Sequence, residues 1–89
     1  MEKGKILVIV PSCNVAHVLP KTISAIPKNF VDAIIVIDDG SKDGTADVAR
    51  KMGVEVISHD KRRGYGAAQK TGYREAMNRN AVAVVMVHG

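Results

Sequence analysis

The segment Asp38-Asp39-Gly40-Ser41-Lys42-Asp43-Gly44-Thr45 carries the densest chemistry in the chain. Two adjacent carboxylates repel each other and cost stability unless something accepts their charge or donates hydrogen bonds to them. A nucleoside is a suitable partner, because a carboxylate accepts from a base N–H or from ribose hydroxyls. Gly40 and Gly44 permit tight backbone turns, and Ser41 or Thr45 can cap a following helix. The competing reading is an ordinary turn in which one aspartate caps a helix and the other is solvated, and residue types alone leave both open.

Two other segments invite chemistry. From Gly64 to Thr71 the chain nearly spells the phosphate loop Gly-x-x-x-x-Gly-Lys-Thr, but Gln69 stands where the second glycine belongs, which excludes a Walker ATPase. What survives is a glycine-bearing loop entering a helix beside Arg62 and Arg63, suited either to an anion or to solvent. The segment Pro11-Ser12-Cys13-Asn14 lacks the glycines of a dinucleotide-binding turn, so NAD is not expected. A phosphatase-type nucleophile at Cys13 would need an arginine six residues later, where Leu19 stands; the thiol reads as unreactive. A single cysteine excludes an internal disulfide, and three scattered histidines assemble no zinc spacing.

The elements that must position these residues follow from hydrophobic periodicity. Four β-branched runs, Lys5 to Val10, Ala33 to Ile37, Glu55 to His59 and Ala81 to Val87, alternate with helical stretches. Near-continuous hydrophobicity within the runs predicts strands covered on both faces, as in a parallel sheet. Leu19, Ile23 and Ile26 form one helical stripe, with Pro20 in its first turn; Val48, Ala49 and Met52 form a second, with Asp43 and Thr45 as candidate caps and Gly53 at its end. Ala68, Gly72 and Ala76 make a stripe of small residues on a third helix from about Gly66 to Asn78. The fold class is therefore α/β: a three-layer, Rossmann-like βαβαβαβ unit with a parallel four-stranded sheet, one domain over residues 1–89. In such a sheet ligands bind where the strands' carboxyl ends meet, which is where the segments above fall.

Composition narrows the partners. The chain is 46% hydrophobic and carries thirteen Lys plus Arg against nine Asp plus Glu, a formal charge of +4, which favours an anionic ligand. With no Trp, one Phe and two Tyr it offers few faces for stacking bases, so nucleic acid is not expected. The longest apolar run, Ala81 to Val87, is too short to cross a bilayer, so no membrane segment is expected. A cytoplasmic location follows as the expectation.

Taken in order, these loops resemble the N-terminal half of a family 2 glycosyltransferase of the GT-A fold, a group that includes dolichyl- and polyprenyl-phosphate glycosyltransferases. The resemblance rests on Pro11-Ser12-Cys13-Asn14-Val15, on Ile37 through Thr45 against the pattern Val-Asp-Asp-Gly-Ser-x-Asp-Gly-Thr, and on Arg63-Gly64-Tyr65-Gly66-Ala67-Ala68. It implies an inverting transfer of a sugar from a UDP- or GDP-sugar to an acceptor such as a polyprenyl phosphate, at the cytoplasmic face of a membrane. It implies that Asp38 and Asp39 bind the base and ribose, that Pro11, Ser12 and Asn14 form the opposite wall, that Gly40 and Ser41 complete the turn, and that Arg63 and Gly64 lie near the base or phosphates. Cys13 stands where relatives carry an aromatic that packs on the base, and Val15 where they carry an acid. Mg²⁺ or Mn²⁺ is implied for the full-length parent through a later acidic segment; none of the 89 residues is expected to be catalytic or to bind metal, and the portion is expected to be inactive alone. The alternative is a free-standing nucleotide-binding module, or one that self-associates through the fourth strand.

Overall fold

The computed structural model describes residues 5–88. Its order is β1 (Lys5–Ser12), α1 (Leu19–Ser24), a 3₁₀ turn (Lys28–Phe30), β2 (Ala33–Asp39), α2 (Thr45–Lys51), β3 (Glu55–His59), α3 (Tyr65–Asn78) and β4 (Ala81–Met86). All neighbouring strands run parallel, in the order β3-β2-β1-β4. The order reverses between β1 and β4, so their carboxyl ends form the crevice characteristic of open α/β sheets.

Strand parity sorts the core. Val8, Val10, Ile34 and Val36 face α1 and α2, where they pack with Leu19, Ile23 and Ala49. Leu7, Ile9, Ile35 and Ile37 point to the opposite face and pack with Ala68 and Ala76 of α3. Right-handed crossovers demand this division once the strand order turns back, and it makes the predicted three layers. Each face is built differently. On the first, helix and sheet both contribute bulk; on the second, the sheet supplies it and the small stripe of α3 lies close. A Cβ on Gly72 would fall 2.3 Å from Cγ2 of Ile9.

Several boundaries differ from the periodicity. The first strand passes through Pro11 to Ser12 rather than stopping there. The Ile9 carbonyl accepts from Val87 N–H, and alternate residues bond the same neighbour, so the missing N–H of Pro11 faces β4 beyond their last registered pair, Ile9 with Met86. No ladder bond is lost. The second strand likewise continues through Asp38 and Asp39, paired with Ser12 on one side and with Ser58 and His59 on the other. The fourth ends at Met86, and α1 ends at Ser24, leaving Ile26 buried beyond it. The α2 cap is Gly44; Asp43 lies one residue earlier and still accepts from Thr45 N–H at 3.1 Å.

Away from the carboxyl ends, Arg79 at the end of α3 grips Glu55 at the start of β3 with two bonds of 2.7 and 2.8 Å, and Glu75 with a third of 2.9 Å. These bonds hold the Glu55 carboxyl below its ordinary range and fix the far end of α3 against the sheet.

The Gly72 contact decides the sign of one substitution. Alanine gains about 1 kcal/mol of helix propensity over glycine, but overpacking a filled core costs about 1–3 kcal/mol. Gly72→Ala is expected to destabilise the domain by about 1 kcal/mol net in urea unfolding, whereas an open helix glycine would be stabilised.

Candidate functional site

The adjacent aspartates at the end of β2 do not form a pair. Neighbouring side chains of a strand point to opposite faces. Asp39 continues the Ile35 and Ile37 series toward α3, while Asp38 continues Ile34 and Val36 toward α1 and α2. Both are buried, 6% and 3% exposed for Asp38 and Asp39, and neither caps α2. The turn reading with one solvated aspartate is therefore incorrect, because β2 extends far enough to carry both carboxylates inside.

Asp39 is held by three internal donors. Its Oδ1 accepts from His59 Nδ1–H and from the Arg63 backbone N–H, and its Oδ2 from the Gly64 N–H, all at 2.8 Å. Burial pushes the carboxyl up, but the His59 bond and the two backbone N–H groups outweigh it and hold Asp39 below its ordinary value. The glycine-bearing loop before α3 thus does bind an anion, and that anion is Asp39. Gly40, at φ +70°, brings the strands' loops together: a Cβ there would lie 2.5 Å from Arg62 N and 2.7 Å from Lys61 C.

Asp38 is the carboxylate left with a free oxygen. Its Oδ1 accepts from Ser41 N–H at 3.1 Å. Among the described residues no buried side-chain oxygen lacks a partner, so Oδ2 opens onto the cleft that Asp38 lines. That cleft, about 520 Å³, lies between the β1, β2 and β3 ends, with Asn14 and Ser41 on one wall and Lys61 and Arg62 on the other. The first wall is laced: Asn14 N–H donates to Ser41 Oγ, Lys42 N–H to Asn14 Oδ1, Val15 N–H to Thr45 Oγ1 and Ala16 N–H to Asp43 Oδ2, at 2.8–3.1 Å. The Thr45 hydroxyl, through its bond to Asp43, helps hold the Asp43 carboxyl below its ordinary range.

The structure distributes the predicted residues over two recesses. Asn14, Asp38, Gly40 and Ser41 line the larger cleft. Pro11, Ser12 and Asp39 line a smaller one of about 150 Å³ on the α3 side, closed by Tyr65, whose ring stacks on His88 with centroids 5.4 Å apart. Arg63 and Gly64 line neither; they stand behind Asp39. Sequence reasoning missed His59, a buried residue on the cleft, and Thr71, whose Oγ1 lies 2.8 Å from His59 Nε2. The signal was present in strand parity, since His59 pairs with Asp39 across two parallel strands. The metal implied for the parent does not fit here: among the described residues no three His, Cys, Asp or Glu side chains converge, and Asp39 is already filled.

The Asp39 carboxylate contributes stability with a defined pH sense. Its folded value lies below the unfolded value near 3.8, so the contribution is complete above that pH and is lost as pH falls through the folded value. Asp39→Asn is expected to lower the unfolding free energy at pH 7 by about 2–3 kcal/mol. The gap between the two proteins in urea unfolding closes as the pH is taken below 4; a gap that stays constant would contradict this account.

Comparison with known proteins agrees with the fold. A protein of Methanocaldococcus jannaschii is 38% identical over 77 residues, covering 86% of this chain and 32% of its own length. A glycosyltransferase of Mycobacterium bovis is 34% identical over all 89 residues and 39% of its own. Glucosyl-3-phosphoglycerate synthase of Mycobacterium tuberculosis, solved with Mn²⁺, UDP and glucosyl-3-phosphoglycerate, superposes with a TM-score of 0.79 at 27% identity over 96% of this chain and 33% of that one. The chain thus spans about a third of the length of these relatives. No described helix is long and apolar enough to cross a membrane. The family profile described as glycosyl transferase family 2 matches residues 7–87, and the chain belongs to that family.

Proposed function

We propose that this chain is the nucleotide-sugar-binding portion of an inverting glycosyltransferase that takes a sugar from a UDP- or GDP-linked donor. The observation that carries the reading is the cleft at the strands' carboxyl ends with the unpaired Asp38 oxygen inside it. A base N–H or a ribose hydroxyl can donate a charge-assisted hydrogen bond to that carboxylate oxygen. Lys42, Lys61 and Arg62 lie exposed on the rim, where they suit the donor's phosphates. The UDP carried by the Mycobacterium tuberculosis synthase supports the same ligand class.

In this reading the predicted residues divide their work. Asp38 contacts the nucleoside; Asn14, Gly40 and Ser41 shape the cleft; Pro11 and Ser12 line the smaller recess beside it; Arg63, Gly64 and Asp39 act from behind by holding the second wall in place. The Mn²⁺ of the synthase finds no ligand set among residues 5–88. We therefore assign these residues binding without turnover, and assign the acceptor, a hydroxyl or a polyprenyl phosphate, to the whole enzyme, working in the cytoplasm or at its membrane face. Calorimetric titration with UDP and GDP tests the reading. One of them is expected to bind the chain, and Asp38→Ala to weaken it by about tenfold. Absence of binding by either at millimolar concentration would refute it.

A second reading is favoured by the edge of the sheet. Among the described residues no strand pairs with the outer side of β4, Val82 and Val85 are 70% and 47% exposed, and the strand carries no charge to guard it. Self-association through β4 is expected to raise the light-scattering mass with concentration, and Val82→Lys to abolish that rise; a mass independent of concentration would exclude it.

A further inference from the structure

We propose that His59 is a positioning residue for the nucleotide cleft, fixing the Lys61–Gly64 turn by clamping Asp39 to Thr71. The ring is buried at the end of β3, where it spans three elements: Nδ1 lies 2.8 Å from Asp39 Oδ1 on β2, and Nε2 lies 2.8 Å from Thr71 Oγ1 on α3. An ionised carboxylate only accepts, so Nδ1 carries a proton toward Asp39; Nε2 meets the Thr71 hydroxyl, which donates to the Ala67 carbonyl at 3.1 Å. A flat ring with opposed nitrogens bridges a carboxylate and a hydroxyl rigidly, as the outer partners of ligating groups do in metal sites.

Lys61 and Arg62 enter through backbone continuity. Asp39 accepts from the next two N–H groups of the chain, those of Arg63 and Gly64, and Gly40 packs directly on the Lys61–Arg62 peptide. The same turn is therefore pinned from both sides, and it forms one wall of the cleft. If His59 lets go, Asp39 keeps its charge but loses one of the two contacts that aim Oδ1, and the wall loosens where a ligand would lie. His59 thus acts through Asp39: it lines the cleft, but both of its ring nitrogens are engaged within the protein.

Two conservative variants separate this from a merely structural role. The amide of His59→Asn falls near Nδ1 and keeps a donor for Asp39; that of His59→Gln falls near Nε2 and keeps only the Thr71 side. In the full chain, His59→Gln is expected to speed amide exchange of Arg63 and Gly64 about tenfold and to weaken UDP or GDP by about tenfold. His59→Asn stays within about threefold of the parent in both, and the Ile9 and Val36 amides stay protected in each variant. Thr71→Val removes only the hydroxyl; should His59→Gln not fold, it carries the test with about threefold faster exchange at the same two amides. Long-range ¹H–¹⁵N spectra of the parent should place the His59 proton on Nδ1. Equal behaviour of the Asn and Gln variants, unchanged exchange at Arg63 and Gly64, or a ring proton on Nε2 alone would each overturn the proposal. The affinity arm rests on the nucleotide-binding reading, whereas the exchange arm does not: if the parent binds neither nucleotide, that reading fails and exchange still decides the role of His59.

Discussion

A buried carboxylate must be answered by hydrogen-bond donors, and the site end of this fold is organised around that requirement at Asp39. Three donors converge on it from two separate segments, so satisfying one side chain fixes the end of β3 and the entry to α3 relative to β2. Charge-assisted bonds of this kind are about twice as strong as neutral ones, and leaving any donor unmatched in the interior would cost about 1–3 kcal/mol. The loop before α3 accordingly has one place to go. Gly40 is required by the same packing, because the turn that answers Asp39 passes too close to the β2 terminus for any side chain there.

Much of the scaffold was legible in the sequence because its pattern is redundant. Four apolar runs and three helical stripes each repeat the period they specify, and Leu19, Ile23, Ala68, Gly72 and Ala76 are buried as their spacing predicts. The ends were less legible. Pro11 and the aspartates look like strand terminators by type, yet whether they terminate depends on what the neighbouring strands offer at that level, which is tertiary information. At the site, the motif pointed to the right loops but not to the division of labour within them. Asp38 and Asp39 are identical by type; parity separates them, and only the position of α3 shows which face is closed. Thr71 left no local signal, lying twelve positions beyond His59 on another element, whereas His59 was marked only by its level with Asp39 on the neighbouring strand.

The two faces of the sheet differ in a way that bears on the site. On the α1 and α2 face the cleft wall is laced by side chains accepting from backbone N–H groups, Ser41, Asn14, Thr45 and Asp43 among them. This lacing uses the Asn14 side-chain carbonyl and one acceptor site of the Ser41 hydroxyl, atoms that the motif offers a ligand. Their value lies in rigidity. A site held within a fraction of an ångström spends less of its binding energy on ordering itself, and Asp38, with one oxygen restrained by Ser41 N–H, is held while its other oxygen stays available.

This arrangement also sets which ligands can be excluded. Specificity is a difference of affinities, and it needs elements that penalise the wrong partner. A bare polyphosphate would be drawn to Lys42, Lys61 and Arg62 on the rim but would meet the Asp38 carboxylate inside the cleft, where like charges repel strongly. A neutral nucleoside could satisfy Asp38 and would forgo the rim. Only a molecule with hydrogen-bond donors at one end and negative charge at the other gains from both. Because His59 and the backbone N–H groups of Arg63 and Gly64 already bond the Asp39 carboxylate, the cationic side chains of the loop need not turn inward to do so. The internal carboxylate and the outward basic rim are thus two consequences of one choice: answering the buried charge with backbone leaves the chain's positive charge free for a ligand.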